Sequence, residues 1–209
     1  MSTRRLGLLG GSFDPVHRGH LHAARAAQRA FDLDRVIFVP AAQPPHKPDR
    51  RLAAGSDRMA LVELAIAGEP TWSASDMELE RSGPSYTIDT VRELAARVGE
   101  PEDASLFLIL GLDNLEGLLD WYRADELFEL VQPILVPRAG APLPDMEQLL
   151  LGRPATWRTL LERGLLDVPS APGRSTDLRA SLAQGSEAEP DLPAGVEQYI
   201  SARGLYRGH

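Results

Sequence analysis

The chain has 209 residues, a length that is enough to bury a core. Hydrophobic residues make up 43% and charged residues 25%, as is usual in globular proteins. Cysteine is absent, which excludes a disulfide framework and thiolate metal sites, and the net charge of -8 argues against a nucleic-acid partner. The first apolar run is too short for a signal peptide, and none reaches the ~20 residues of a membrane span. We therefore expect a cytoplasmic protein without a membrane partner.

Apolar, strand-like segments alternate with segments of helical periodicity along the chain. The predicted strands cover 4–9, 35–39, 71–74, 105–110 and 133–136, and the predicted helices cover 21–30, 57–67, 88–98, 112–119 and 125–130. Further on we predict a short helix at 146–151, a short strand at 165–168, terminal helices at 175–183 and 196–202, and a polar loop at 184–193. This order predicts an α/β fold, a doubly wound parallel sheet with a small C-terminal helical part, as a single domain over 1–209.

The carboxyl ends of parallel strands meet at one edge of a sheet, where ligands bind in open α/β folds. Segments rich in glycine, proline and polar residues follow the first four predicted strands, at 10–15, 44–47, 84–87 and 111–114. We expect these segments to form the binding edge.

Three of the five histidines lie within six residues, in the run G-G-S-F-D-P-V-H-R-G-H-L-H that starts at Gly10. A glycine turn leading into a helix start presents backbone N–H groups at the positive end of the helix dipole, which suits a phosphate. His17 and His20 are three residues apart and are expected on one side of the first helical turn, with His22 roughly opposite. This pair indicates phosphoryl or nucleotidyl transfer, although a single histidine at a helix start is more often a cap or a surface residue.

A second phosphate site is predicted where Ser175 and Thr176 begin a helix. Either side chain would cap the first turn, and Arg179 lies one turn further on, facing the same ligand. The alternative is a capped surface helix with a solvated arginine.

These motifs resemble bacterial nicotinate-nucleotide adenylyltransferases, within the nucleotidyltransferases that carry an H-x-G-H motif. Further segments match in the family's order: P-P-H-K at 44–47, P-S-Y-T at 84–87, G-L-D-N at 111–114, W-Y at 121–122, S-T-D-L-R at 175–179 and G-L-Y-R at 204–207. The resemblance runs nearly end to end. It departs at Gly173 and Arg174, where the family usually has an isoleucine and a small residue, so the role of Arg174 stays open.

The resemblance implies a Rossmann-like nucleotidyltransferase fold that transfers the adenylyl group of ATP to nicotinate mononucleotide, giving nicotinate adenine dinucleotide and pyrophosphate in NAD biosynthesis. His17 and His20 would be catalytic. The expected ATP-binding residues are Gly11, Ser12, Phe13, His17, Gly19, His20, Gly111, Asp113, Ser175, Thr176 and Arg179. The expected mononucleotide-binding residues are Ser12, His46, Lys47, Tyr86, Thr87 and Trp121. Mg²⁺ would accompany ATP, with no protein ligand assigned.

Several of these residues also have ordinary structural interpretations. Asp14 could simply form an Asx-type turn before Pro15, and Asp113 could be an acidic residue favoured at a helix start. Lys47 could be a solvated loop lysine, and Trp121 a core or surface anchor.

Alternative functions are a related transferase such as the phosphopantetheine enzyme, a nucleotide sensor without catalysis, or a histidine metal cluster. The first tends to be shorter and to lack the P-S-Y-T and W-Y segments. The intact histidine pair argues against an inactive sensor, and the opposed face of His22 argues against a metal cluster. The sequence leaves open whether the chain forms a homo-oligomer.

Overall fold

The structure is a computed structural model, and it describes residues 3–45, 51–99, 104–138, 144–169, 173–185 and 190–207. Five strands are present in these ranges: β1 (Arg4–Gly11), β2 (Arg35–Pro40), β3 (Trp72–Ala74), β4 (Ala104–Gly111) and β5 (Gln132–Val136). Of the six predicted strands, the first five are confirmed, with ends that differ by at most two residues. Among the described residues, no helix has both the length and the apolar character needed to cross a bilayer.

Helices separate and follow the strands. They are α1 (Arg18–Ala30), α2 (Gly55–Ile66), α3 (Met77–Glu80), α4 (Thr87–Val98), α5 (Leu115–Leu118), α6 (Ala124–Leu130), α7 (Met146–Leu149), α8 (Ala155–Gly164), α9 (Ser175–Ala183) and α10 (Ala194–Arg203). A 3₁₀ turn at Leu112–Asn114 precedes α5, so the single helix predicted over 112–119 is split into two short pieces.

The strand order in the sheet is β3-β2-β1-β4-β5. The β1–β4 and β4–β5 pairs are parallel, with Leu6 opposite Leu106 and Ile109 opposite Ile134. The order reverses beside β1, the first strand, as in doubly wound sheets. The predicted α/β fold is confirmed.

Two predictions for the segment after 139 are wrong. The strand expected at 165–168 is absent, because Leu165 forms only an isolated bridge to Leu135 and Leu166 donates one hydrogen bond to the Leu135 carbonyl. Pro169 follows, and proline has no N–H with which to extend a ladder. Helix α8 is present although no helix was predicted there.

The chain divides into two compact units. Where described, the first contains Met1–Leu9, Ala23–Val36 and Tyr86–Ala171, and the second contains Gly10–His22, Ile37–Ser85 and Pro172–His209. Each unit is assembled from separate segments of the sequence. The prediction of one domain over 1–209 stays a prediction.

The core of the first unit is aliphatic and lies around β4 and β5. Leu108, Ile109, Ile134 and Leu135 are almost fully buried there, as expected for strands of a parallel sheet covered on both faces. Helix α8 packs on β5 and buries Trp157 and Leu161. Burial of each such side chain contributes about 1.5–3 kcal/mol to folding.

The core of the second unit combines aromatic rings with the apolar faces of α2 and α10. Phe38 lies between Phe13 and Trp72, with ring centroids 5.9 Å and 5.5 Å away. Asp57 on α2 accepts hydrogen bonds from Tyr199 (2.9 Å) on α10 and from Arg203 (3.2 Å) at its end. These bonds join the C-terminal helix to the middle of the chain.

Candidate active site

The loop between β1 and α1 is held in a tight turn by Phe13. Its φ of 44° lies in the left-handed region, which costs a non-glycine residue about 1–2 kcal/mol. Its ring is fully buried and meets the His20 ring edge-on, with centroids 5.0 Å apart. Packing of this side chain therefore offsets the backbone strain and fixes the loop next to the histidines.

His17 is the cap of α1 and does not belong to its first turn as predicted. The helix begins at Arg18, and the His17 carbonyl accepts the N–H of His20 at 2.9 Å. The two imidazoles nevertheless lie together, with ring centroids 3.9 Å apart and planes tilted by 36°. The structure thus brings together the two residues that the spacing singled out.

Backbone amides fix the tautomer of both rings. The Gly19 N–H donates to Nδ1 of His17 at 3.1 Å, and the His17 N–H donates to Nδ1 of His20 at 3.2 Å. Since Nδ1 is an acceptor in each ring, a neutral imidazole carries its proton on Nε2. Each histidine is thereby prepared as an Nε2–H donor, while the amide of Gly19 is already in use.

The two histidines differ in access to solvent. His17 is fully buried, whereas His20 is partly exposed. A ligand can reach His20 directly, while contact with His17 requires a local movement.

The second predicted phosphate site begins α9, and its arginine is tied to the loop before α1. The Arg179 guanidinium donates to the Asp14 carbonyl at 2.6 Å and lies 3.7 Å from the Asp14 carboxylate. It also donates to Thr176 Oγ1 at 3.3 Å. This contact brings Arg179 to the loop between β1 and α1, residues 12–17, which we call the histidine loop. The two segments are far apart in sequence.

Ser175 does not cap α9 as predicted. Its hydroxyl donates to the Pro15 carbonyl at 3.1 Å, and the N-cap residue Arg174 gives no side-chain hydrogen bond to the first turn. Gly173 has φ 106°, and an added Cβ there would meet the Asp191 carboxylate at 3.1 Å. The departure from the family pattern therefore has a local reason, because isoleucine would not tolerate this conformation.

Two buried residues, Arg58 and Asp14, support the loop between β1 and α1, and Arg58 was not among the predicted site residues. Arg58 on α2 is buried and donates to the Ser12 carbonyl at 2.8 Å and to the Ala53 carbonyl at 3.0 Å. Burial lowers the pKa of Arg58, and the charge of Asp14 acts in the opposite direction. Asp14 is fully buried and accepts the Ala53 N–H at 3.1 Å. The one sequence feature that could have indicated this role is the position of Arg58 on the same helix face as the buried residues Leu61 and Val62.

In the first unit, Asp113 follows β4 and is paired with Arg138, whose guanidinium lies 3.1 Å from Oδ2. An added Cβ at Gly111 would overlap Oδ1 of Asp113. A side chain at position 111 would therefore displace this carboxylate. Arg138 was not anticipated, and nothing in its local sequence indicated the pairing.

The P-S-Y-T segment opens α4. Tyr86 is its N-cap and offers no side-chain hydrogen bond, so the first turn, which begins at Thr87, depends on other partners. The Tyr86 and Tyr122 rings stack at 4.7 Å, and Tyr122 is 54% exposed. Trp121 precedes Tyr122 and is partly exposed. Tyr122 is thus an aromatic partner of Tyr86 that was not among the predicted site residues, which included only its neighbour Trp121.

His46 and Lys47 lie outside the described residues. Just before them, the Ser85 hydroxyl accepts the N–H groups of Ala42 (3.0 Å) and Gln43 (3.2 Å). The serine of P-S-Y-T therefore holds the backbone at Ala42 and Gln43, a few residues before the only lysine of the sequence.

Comparison with known proteins identifies the class to which this fold and site belong. Residues 8–180 match the cytidylyltransferase-like family, so the chain has the nucleotidyltransferase domain. Proteins named probable nicotinate-nucleotide adenylyltransferase are 39% identical in Dehalococcoides mccartyi, over 99% of this chain and 98% of the relative, and 42% identical in Bordetella petrii, over 98% and 100%. The chain belongs to the nicotinate-nucleotide adenylyltransferase family.

Solved structures share the fold. The nicotinic acid mononucleotide adenylyltransferase of Plasmodium falciparum, complexed with NaAD, superimposes with a TM-score of 0.74 at 16% identity, over 97% of both chains. A putative nicotinate-nucleotide adenylyltransferase from Vibrio parahaemolyticus gives 0.70 at 18% identity, over 99% of this chain and 98% of the other. At these identities the likeness establishes the Rossmann-like fold.

Proposed function

We propose that this chain transfers the adenylyl group of ATP to nicotinate mononucleotide, forming nicotinate adenine dinucleotide and pyrophosphate on the route to NAD. The observation that carries the proposal is the pair of adjacent imidazoles, each held by a backbone amide as an Nε2–H donor. Membership of the family gives the substrates.

The reaction needs alignment and charge stabilisation more than proton transfer. A phosphate oxygen of the mononucleotide attacks the α-phosphorus of ATP, the bond from that phosphorus to the bridging oxygen breaks, and pyrophosphate leaves with the electron pair. Because the nucleophile is already an anion, no protein base is required. Catalysis then rests on positioning and on donors placed where charge develops.

In the second unit, we assign the phosphates of ATP to the histidine loop and the start of α9. His17 and His20 are proposed to donate to the reacting α-phosphate, and Arg179 to the β- and γ-phosphates. The backbone of Gly11, Ser12 and Phe13 lines the approach, Gly19 keeps the helix start bare of a side chain, and Ser175 and Thr176 complete the triphosphate contacts. Ser12 is also proposed to contact the phosphate of the mononucleotide.

In the first unit, we assign contacts to the nucleosides. Asp113, oriented by Arg138, is proposed to accept from a ribose hydroxyl of ATP beside Gly111. Thr87 and the amides of the first turn of α4 are proposed to bind the nicotinate carboxylate, with Tyr86 and Trp121 against the ring. His46 and Lys47, which fall in the sequence range of the second unit and outside the described residues, are proposed to meet the phosphate of the mononucleotide.

Mg²⁺ is expected to accompany ATP, where it would neutralise phosphate charge. The described residues contain no group of three or more histidine, aspartate or glutamate side chains that could hold a metal ion by themselves. Mg²⁺ usually keeps several waters and binds through substrate phosphates with few protein ligands. We therefore assign it no residue of this chain.

A panel of acceptors tests the proposal. The purified protein is incubated with ATP, Mg²⁺ and one of nicotinate mononucleotide, nicotinamide mononucleotide or phosphopantetheine, and pyrophosphate release and dinucleotide formation are measured. Formation of nicotinate adenine dinucleotide in stoichiometric balance with pyrophosphate is expected. Turnover with phosphopantetheine alone, or ATP binding without turnover of any acceptor, would contradict the proposal.

A further inference from the structure

The four N–H groups that open α1 all have acceptors within the second unit. A helix start leaves four such groups without intrahelical partners, and they serve a capping side chain, water or a ligand. The His17 N–H donates to Nδ1 of His20, the Gly19 N–H to Nδ1 of His17, and the His20 N–H to the His17 carbonyl. The Arg18 N–H donates to the Asp191 carbonyl at 2.7 Å. The amides are therefore occupied, and a phosphate at this helix start is left to the imidazole Nε2–H groups.

Arg18 is held by two residues that precede α10, Pro190 and Asp191. Besides the amide bond to Asp191, Nε of the Arg18 guanidinium donates to the Pro190 carbonyl at 2.9 Å, across 172 residues of sequence. Leu192 follows directly and is almost fully buried, so this segment has its own anchor in the core. Two hydrogen bonds therefore fix the first residue of α1.

Arg18 also lies between the two amides that set the tautomers of the imidazoles. The amide before it belongs to His17 and binds His20, and the amide after it belongs to Gly19 and binds His17. A backbone rotation at residue 18 would shift these two amides relative to each other. An imidazole that loses its amide donor can carry the proton on either nitrogen. The contacts of Arg18 with Pro190 and Asp191 thus stabilise the arrangement of both histidines.

The side chain of Asp191 lies against the start of the second predicted phosphate site. An added Cβ at Gly173 would be 3.1 Å from Oδ2 of Asp191 and 3.4 Å from its Cβ. Gly173 lies two residues before α9 begins at Ser175. Asp191 therefore contacts the chain at the start of α9 with its side chain and the start of α1 with its carbonyl. These are the two helix starts to which the phosphates of ATP are assigned.

We propose that Arg18 is a positioning residue for adenylyl transfer, which holds His17 and His20 as Nε2–H donors through its two hydrogen bonds to residues 190–191. Arg18 touches no reacting atom, and the contact depends on its Nε–H and not on its positive charge. This role rests on the proposed function, because it takes the α-phosphate of ATP as the ligand of the two imidazoles. Loss of the contact should therefore affect the chemical step more than the binding of either substrate.

Two substitutions at position 18 separate the donor from the charge. Arg18→Gln places an amide nitrogen the same number of bonds from Cα as Nε of arginine, whereas Arg18→Met keeps the stem without a donor. Because Arg18 is exposed, neither substitution opens a cavity. Arg18→Met should lower kcat about 3–10-fold, the effect of one hydrogen bond of ordinary net strength, with both KM values changed less than about twofold. Arg18→Gln should keep kcat within about twofold of the unmodified protein.

The tautomers of the histidines give a readout that does not need turnover. ¹⁵N NMR of histidine-labelled protein distinguishes a proton on Nε2 from one on Nδ1, at a pH at which both rings are neutral. His17 and His20 should be in the Nε2–H form in the unmodified protein and in Arg18→Gln, and should show a mixture in Arg18→Met. Arg29→Met is the matched control, since it removes an exposed arginine from the last turn of α1 and should change neither kcat nor the tautomers.

Equal losses of kcat in Arg18→Gln and Arg18→Met would assign the effect to the charge of Arg18 and overturn the proposed role. A raised KM for ATP with unchanged kcat would do the same, since Arg18 would then be a phosphate contact. Unchanged histidine tautomers in Arg18→Met would also overturn it. Absence of adenylyl transfer by the unmodified protein would instead refute the proposed function, while the NMR comparison would still decide whether Arg18 holds the histidines.

Discussion

At the scale of single residues, His20 offers the sharpest test of the proposed chemistry. It is partly exposed, and its Nδ1 is occupied by the His17 amide, so Nε2–H is the group it can offer to a phosphate. His20→Ala should lower kcat by roughly 10²-fold or more with little change in KM, as for loss of one donor to a developing charge. Steady-state kinetics with both substrates varied measures this effect.

His22→Ala is the control for that prediction. His22 is in the same helix two residues on, and its buried Nε2 has no hydrogen-bond partner among the described residues. Its removal should leave kcat nearly unchanged. A larger loss for His22 than for His20 would contradict the assignment of the catalytic pair.

Residue spacing predicted the histidine pair because both members lie in one short segment. The same reasoning could not find the pairing of Asp14 with Arg179, since contacts across the whole chain leave no periodic signal. It also assigned Ser175 as a cap, the usual role of serine at a helix start. The Pro15 carbonyl nearby accepts the serine hydroxyl instead, so tertiary contact overrides the local preference.

At the scale of elements, the start of α4 is expected to decide the choice of mononucleotide. Its N-cap Tyr86 leaves the first N–H groups without a side-chain partner, and the helix dipole adds positive potential there. A carboxylate gains from both, whereas an amide lacks the charge and presents NH₂ to donors. A contact worth about 2 kcal/mol predicts roughly a 30-fold higher kcat/KM for nicotinate than for nicotinamide mononucleotide.

The two mononucleotides are compared at fixed ATP to check that preference. Equal efficiency, or a preference for the amide, would show that the helix start does not select the acid. Equal efficiency would indicate a dual-specificity enzyme and a preference for the amide a nicotinamide-directed one, and either result would leave adenylyl transfer itself unaffected.

Helix α8 depends on a glycine where it approaches β5. A Cβ at Gly164 would overlap the Pro133 carbonyl oxygen, which belongs to backbone and cannot move aside like a side chain. Gly164→Ala should therefore lower the free energy of unfolding by about 1–3 kcal/mol, the usual range for overpacking. Gly68→Ala provides the control, since it has open space and an ordinary φ. Urea denaturation of the two variants should separate them, and equal midpoints would contradict the steric explanation.

The prediction of elements succeeded where hydrophobic segments were long or repeated. It missed α8 because the buried face of this helix has only two large apolar side chains, Trp157 and Leu161, one helical turn apart among arginine, threonine and glutamate. The strand wrongly placed at 165–168 is an apolar run that follows α8 directly. Short apolar runs fit a strand or an irregular segment equally well, and only packing decides between them.

At the scale of the whole molecule, the C-terminal segment contributes to stability through tyrosines that the fold keeps protonated. The pKa of Tyr206 is raised by burial and by Asp14, and that of Tyr199 by its hydrogen bond to Asp57. Asp14 and Asp57 belong to distant parts of the sequence. Ionisation of these tyrosines in the unfolded chain therefore stabilises the unfolded state and lowers the free energy of unfolding.

The alkaline limit of stability follows from the sign of these shifts. Below about pH 10, the ordinary tyrosine pKa, both states keep the phenolic proton and stability does not depend on it. Above that pH the unfolded chain loses the proton while folded Tyr206 retains it, so the free energy of unfolding falls, by at most about 1.4 kcal/mol per pH unit for one proton. Tyr206→Phe should make this decline shallower.

Urea unfolding at a series of pH values between about 9 and 11 measures that decline. Tyr199 remains in the Tyr206→Phe variant, so part of the slope should persist. The lowered pKa of Arg58 opposes the trend but is common to both proteins, and their difference therefore isolates Tyr206. Identical slopes would mean that the Tyr206 hydroxyl ionises as readily in the folded protein as in the unfolded chain, and would contradict the effect of burial and of Asp14 on its pKa.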